Sequence, residues 1–276
     1  MADKFELVLF STDPVFIRQA VAAGIDSILV DWESLNKEQR QAQADTQINY
    51  NTPEDLRRVR ACTEAKVICR INGYGTTTAE EVAQAVKAGA DEILLPMVRT
   101  VEEVEMVLNR AGGRCGVGIL VETVAALKLA RQLARLPLSR VYTGLNDLAI
   151  ERNTPNIFTA LVDGTVENTR PFFTVPFGFG GLTLPECGHP IPCRLLIAEM
   201  ARLGCRYSFL RRSFHRDIRG RDMAAEIPRL LGAIQEAQQR SPEDVARDRH
   251  ALENAVRAWR GTMTQSGDRK EPLCHV

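Results

Sequence analysis

Short apolar runs rich in β-branched residues recur along this chain, and each is followed by a stretch with helical spacing. That alternation constrains the fold more than any other feature. The runs are Phe5–Ser11, Ser27–Glu33, Lys66–Asn72, Glu92–Val98, Cys115–Glu122, the segment from Val141, Phe172–Leu182 and Arg206–Phe214. The intervening helices carry ordinary start and stop signals, such as Asp13-Pro14 before the first and Gly24 after it. Eight regularly spaced strand-helix units predict a (β/α)8 barrel. The alternative, an open doubly wound sheet, lacks its best-known sign, a glycine-rich dinucleotide fingerprint after strand one. The predicted domains are a barrel over 1–241 and, over 242–276, one further helix with a frayed tail. That ninth helix carries an apolar stripe of Val245, Leu252, Val256 and Trp259 and is surplus to a barrel, so it either caps the bottom or lies across a neighbouring subunit. Residues 34–52 are polar and aperiodic, a connection long enough to predict a functional or mobile loop.

Within this pattern, the segment from Cys115 to Ile150 reads as a βαβ unit. Strand five places Gly116, Gly118, Leu120 and Glu122 on one face. Thr123 caps a helix whose apolar positions are Val124, Leu127, Leu129, Ala130 and Leu133. Strand six places Val141, Thr143, Leu145 and Asp147 together. Parallel neighbours joined by one crossover bring Glu122 and Asp147 to the strands' carboxyl ends, where α/β folds bind ligands. Two carboxylates so close repel each other unless a hard divalent cation lies between them. The plainer reading is a pair of solvated residues capping the next helices.

Composition narrows the classes. The chain has 35 basic and 35 acidic residues and a formal charge of zero, which gives no electrostatic case for nucleic acid or an anionic membrane. No apolar run approaches the ~20 residues of a membrane helix. The N-terminal residues show no basic region before an apolar run, so secretion is not expected. Seven cysteines without a scaffold-like pattern predict free thiols in a reducing compartment, hence a cytoplasmic protein.

The segments Ile-Leu-Val-Glu122-Thr, Thr-Gly-Leu-Asn-Asp147-Leu-Ala and Ile-Cys-Arg70-Ile-Asn72 resemble motifs of the HpcH/HpaI aldolase and citrate lyase β-subunit family. The resemblance covers about residues 5–150; beyond that only the strand-helix rhythm continues. It implies a metal-dependent carbon–carbon lyase or aldolase that forms an enolate from a 2-oxo acid, a small carboxylate substrate. Magnesium or manganese would fall to Glu122 and Asp147, and Arg70 would hold the substrate's carboxylate or enolate oxygen. The planar guanidinium of Arg70 is suited to such an anion, the other reading being a structural ion pair with Asp31 or Glu33. The resemblance also implies a homo-oligomer, a trimer or hexamer, built with the last helix. The same barrel mouth would serve a CoA-thioester lyase or hydrolase, or a phosphoenolpyruvate-utilising transferase, and a non-catalytic binding or assembly subunit is the remaining alternative.

Other candidates are less specific. Asp31 and Glu33, in Val-Asp-Trp-Glu-Ser, resemble the family's acidic strand-two motif but with Trp32 and Ser34 at positions where it differs. They are read as orienting Arg70 and the metal's waters, with a base role as the weaker option. The acid–base histidine that the family's diacid-aldolase branch uses in this neighbourhood has no counterpart, since no histidine precedes His189. Candidate proton acceptors are metal-bound water, Asp31 or Glu33, and His189, in that order. Pro96 and Met97 are expected on the pocket wall, and Asn72 beside Arg70. Gly180, Gly181 and Arg211 or Arg212 would suit an anionic substrate tail. Cys187, His189 and Cys193 have the residue types of a zinc site but offer three ligands and no second pair. His215, after strand eight, is read either as an acid–base group or as turn chemistry.

Overall fold

The computed structural model describes residues 4–35 and 50–259. The predicted loop over 34–52 lies mostly outside them, as does the tail over 262–276. Eight parallel strands follow one another round a nearly closed barrel: β1 (Glu6–Phe10), β2 (Ser27–Asp31), β3 (Lys66–Arg70), β4 (Glu92–Leu95), β5 (Gly116–Val121), β6 (Val141–Thr143), β7 (Phe177–Phe179) and β8 (Tyr207–Phe209). β8 also pairs with β1. Between β7 and β8 the wall is closed by Arg206 N donating to Phe177 O, by the Ser208 hydroxyl donating to Phe179 O, and by a parallel bridge from Leu182 to Leu210. The expected (β/α)8 architecture is the one observed. Among the described residues no helix is long and apolar enough to cross a membrane.

Strand alternation sorts the core into two layers. Val8, Leu29, Ile68, Leu94, Leu120, Tyr142, Tyr207 and Phe209 point into the barrel and pack on one another. The alternate residues, among them Leu7, Ile28, Val67, Ile93, Ile119 and Val141, pack outward against the helices. Because both faces are buried, the strands read as continuous apolar runs.

The inward positions at the strands' amino ends are polar, and they close the barrel's base. Arg140, almost fully buried, donates from Nε to Glu92 Oε1 at 2.6 Å and from Nη2 to Glu6 Oε1 at 3.1 Å. Its guanidinium lies 4.7 Å over the Tyr207 ring. Ser139 donates to Glu92, Ser27 donates to Glu6, and Lys66 stands 3.8 Å from Glu92. Gly118 makes the space: a Cβ there would come within 2.7 Å of Arg140 Cγ.

Several expected boundaries shift. Strand six ends at Thr143, because Gly144 starts the Leu145–Glu151 helix. Strand seven shrinks to Phe177–Phe179 behind a 3-10 turn, Arg170–Phe172. Strand eight stops at Phe209, and Arg212–Asp217 is helical. The helix after Thr123 splits at Leu129 into Val124–Lys128 and Ala130–Leu133. The Pro242–Ala258 helix lies along its own barrel, with Leu252 and Val256 buried and Asn156 Nδ2 donating to the carbonyls of Val256 and Trp259.

Candidate active site at the barrel mouth

The carboxyl ends of β2, β3 and β5 carry charge where the strands below carry leucine and isoleucine. Asp31 and Arg70 are register partners and the last residues of β2 and β3. Leu29 and Ile68 point inward, so residues two further on do as well. The pair is bidentate: Arg70 Nε to Asp31 Oδ1 at 2.8 Å and Nη2 to Asp31 Oδ2 at 2.7 Å. The third nitrogen, Nη1, lies 3.4 Å from Glu33 Oε2. Burial disfavours the guanidinium charge, but Asp31 and Glu33 more than offset it and hold Arg70 well above its ordinary range. Trp32, between the two acids, points outward and donates from its indole to Thr52 O at 3.1 Å. The departure at this position therefore leaves Asp31 and Glu33 on the mouth side. The ion pair and the orienting role are thus one arrangement: the acids fix the plane of Arg70, whose guanidinium also lies 5.6 Å over the Phe10 ring.

Glu122 follows β5 directly and is buried. Thr123 next to it does two things: its hydroxyl donates to Val98 O and accepts from Ala126 N at 2.9 Å, which ends the strand and starts the helix. Glu122 Oε1 accepts from Met97 N at 2.9 Å. Met97 also adopts φ 55°, a left-handed conformation uncommon outside glycine. On the other side, a Cβ on Gly144 would lie 2.0 Å from Glu122 Oε2, so only glycine fits there. Burial first, then the charges of Asp147 and Glu33, push the Glu122 carboxyl up to about 8, while Arg70 pulls the other way.

Asp147 reaches Glu122 by a different route from the one expected. Val141 faces outward and Tyr142 inward, so the face of β6 assigned to Val141, Thr143 and Asp147 is the outer one. The turn at Gly144 and the first turn of the Leu145–Glu151 helix bring Asp147 back to the mouth. An acid in a helix's first turn is also favoured by the helix dipole.

The remaining candidates fall into two groups. Asn72 is buried beside Arg70, and its amide organises the chain: Oδ1 accepts from Ser34 N and Leu35 N, both at 2.9 Å, and Nδ2 donates to Glu81 Oε1 at 3.0 Å. Glu81, which the sequence did not single out, orients it. Pro96 is buried and Met97 half-buried next to Glu122. The second group lies past β7 and β8. A Cβ on Gly180 would lie 2.5 Å from the Tyr142 hydroxyl oxygen, and one on Gly181, which also holds φ 129°, would lie 2.6 Å from Leu196. Arg211 is the residue before the Arg212–Asp217 helix and donates to His189 O at 3.0 Å; Arg212 and His189 are exposed. His215 Nε2 lies 2.8 Å from Phe10 O, its ring stacked on Phe16.

The zinc reading is not supported. Cys193 is buried with its thiol donating to Thr183 O, and burial pushes that thiol up to about 12. The thiols of Cys62, Cys69, Cys115, Cys193 and Cys205 are free, as expected. Among the described residues no cluster of three or more His, Cys, Asp or Glu side chains is arranged as a metal cage. Magnesium does not need one, since it is commonly held by one or two carboxylates and completed by water and substrate. Glu122, crowded by Asp147 and Glu33, fits that donor set: its proton affinity is raised by the same negative field that a divalent cation would offset.

Tyr142 is the main residue of the mouth that sequence reasoning missed. It points inward on β6 with its ring stacked on Phe209 at 3.8 Å, and burial pushes its phenol well above the ordinary range. Nothing in Val-Tyr-Thr marks it; its inward place shows only in the register, opposite Leu120.

The family model for HpcH/HpaI aldolase/citrate lyase matches residues 4–150, which hold Asp31, Arg70, Glu122 and Asp147. No curated protein sequence matches. Among solved structures, one titled as the crystal structure of the citrate synthase SbnG aligns with a TM-score of 0.58. The alignment covers 79% of this chain and 91% of that one at 18% identity, a likeness of fold. The chain belongs to the HpcH/HpaI aldolase/citrate lyase family.

Proposed function

We propose that this family member, a lyase-type enzyme, is a divalent-metal-dependent carbon–carbon lyase or aldolase acting on a 2-oxo acid or a closely related small carboxylate. The observation that carries this reading is the buried Glu122 set among the charges of Asp147, Glu33 and Arg70, with its carboxyl pushed up to about 8. Mg2+ or Mn2+ would be held by Glu122 and Asp147. When bound, such an ion supplies Lewis-acid stabilisation to an oxygen that gains negative charge as a carbon–carbon bond breaks.

The chain's own residues supply the rest. Arg70 offers a fixed positive charge to the substrate's carboxylate or developing oxyanion. Asp31 and Glu33 hold its plane, so no reorganisation is needed during the reaction. Met97 N holds one oxygen of Glu122, and Gly144, lacking a Cβ, leaves room for the other. The Phe10, Tyr142 and Phe209 rings pack together as an apolar floor, whose low polarity strengthens the electrostatic interactions beside it. Asp31 and Glu33 are the protein's candidate proton acceptors in the mouth; His189 is exposed, with its main-chain oxygen held by Arg211.

Calorimetric titration with Mg2+ and Mn2+ tests the site: the wild type should bind and Glu122→Gln should not. A screen for 2-oxo acids released from aldol adducts, with and without Mg2+, then identifies the substrate. Equal metal affinity in both proteins would overturn the assignment.

A further inference from the structure

Tyr142 occupies the level of Leu120 and Gly178 on its two neighbouring strands. Its hydroxyl, however, touches the space above Gly180, where a Cβ would come within 2.5 Å of it. Strands rise about 3.3 Å per residue, so the side chain climbs roughly 6–7 Å from the level of Gly178 toward the mouth. The ring is fixed on the way by Phe209, stacked at 3.8 Å with an 18° interplanar angle, and by Tyr207 at 5.9 Å. At the top of the climb the phenol oxygen meets the Phe209 backbone and also feels the charges of Arg70 and Glu122. A rigid phenol thus rises along the inner face of the barrel to the level of Gly180, at the mouth.

We propose that Tyr142 is a substrate-positioning residue, its hydroxyl donating a hydrogen bond to a carboxylate or oxyanion oxygen of a 2-oxo acid seated between Arg70 and Glu122. This rests on the reading of the mouth given above. The physical case is that a neutral donor complements a negative oxygen without adding a second positive charge beside a bound cation. A phenol is also ordered at low entropic cost, having only two side-chain torsions, and here its ring is already packed. Gly180 completes the arrangement, because any larger residue would occupy the hydroxyl's position.

The test uses oxalate, a planar dianion with the shape of a 2-oxo acid enolate, titrated calorimetrically into the full-length protein at saturating Mg2+. Tyr142→Phe keeps the stacked ring and removes only the oxygen. It should weaken oxalate about tenfold or more, the scale of a hydrogen bond to a charged acceptor, with Mg2+ affinity unchanged. Gly180→Ala, which displaces the hydroxyl instead of deleting it, should weaken oxalate in the same direction and serves if Tyr142→Phe does not fold. Oxalate should also perturb the near-ultraviolet tyrosine spectrum of the wild type, and that perturbation should vanish in Tyr142→Phe. Wild-type oxalate affinity in both variants would overturn the proposal while leaving the metal site standing, and so would a loss of Mg2+ affinity equal to the loss of oxalate. A wild type that binds Mg2+ but no oxalate would instead remove the 2-oxo acid reading, and the role of Tyr142 with it.

Discussion

Glu122 concentrates the energetics of the mouth in one side chain. Its carboxyl is raised by burial, Asp147 and Glu33 to about 8, well above the 4.5 of an unperturbed glutamate. Between those values the metal-free folded protein holds a proton that the unfolded chain releases. Its contribution to stability is therefore fully present below about pH 4.5 and is lost as pH rises through about 8. Thermal denaturation of the metal-free protein should show a midpoint that falls across that window, whereas Glu122→Gln, which cannot ionise, should show a flatter profile. Stabilisation by Mg2+ should grow over the same range, because the ion binds the deprotonated carboxylate; stabilisation independent of pH would argue against Glu122 as a ligand. Arg70 gives a second test. Lysine keeps the charge but loses the fork that engages both oxygens of Asp31. Arg70→Lys should lower turnover by about tenfold to a hundredfold, the range for removing one charged hydrogen-bonding contact, while Mg2+ affinity stays close to wild type. Equal loss of both would make Arg70 architectural.

The strands are the elements that convert sequence period into function, and their two ends do opposite work. At the base, Arg140 balances Glu92 and Glu6 inside the barrel; at the mouth, carboxylates outweigh Arg70 around Glu122. A layer of Val8, Leu29, Ile68, Leu94 and Leu120 separates them. Arg140→Met should therefore unfold the protein more easily, by about 3–5 kcal/mol, because it leaves Glu92 buried without its main partner. Glu92→Gln in the same protein should recover part of that loss. Mg2+ affinity should be unchanged in both, and a loss there would mean the two ends are coupled. Period-two alternation made β5 readable: once Leu120 points inward, Glu122 must follow. The same rule failed on β6, where every residue from Val141 to Thr143 is buried and polarity gives no clue to which face is inner. Tyr142 was overlooked and Asp147 put on the wrong face for that one reason. Gly144, read as part of a strand, is where the strand stops and the helix that carries Asp147 starts. The Asn72–Glu81 contact was not legible either, since it joins a strand end to the following helix through side chains whose spacing carries no period.

At the scale of the whole molecule, the last helix tests whether the barrel is complete without it. The Pro242–Ala258 helix is tied to its own chain by Arg249, which donates to Leu161 O at 2.7 Å and to Glu199 Oε1 at 2.6 Å. Glu199 is itself buried and also held by Arg202. Arg240 adds a bond to Ala198 O at 2.7 Å, and the Trp259 ring lies 6.1 Å from Phe158. These contacts cover helix Cys193–Arg202, which packs behind β7 and β8, so the surplus helix acts as a clasp on the half of the barrel beyond the family match. We also propose that the protein forms a homo-oligomer, and the two roles separate by concentration. Arg249→Ala should cost about 1–3 kcal/mol, enough to lower the thermal midpoint by several degrees in a chain of this size. If the helix works as an internal clasp, that shift is the same at low and high protein concentration. If its main work is at a subunit interface, the shift shrinks as concentration rises, since mass action restores the assembly. The contacts of Arg249 with Leu161, Glu199 and Glu253 are all within one chain, which favours a concentration-independent loss, with size-exclusion mass unchanged in the variant.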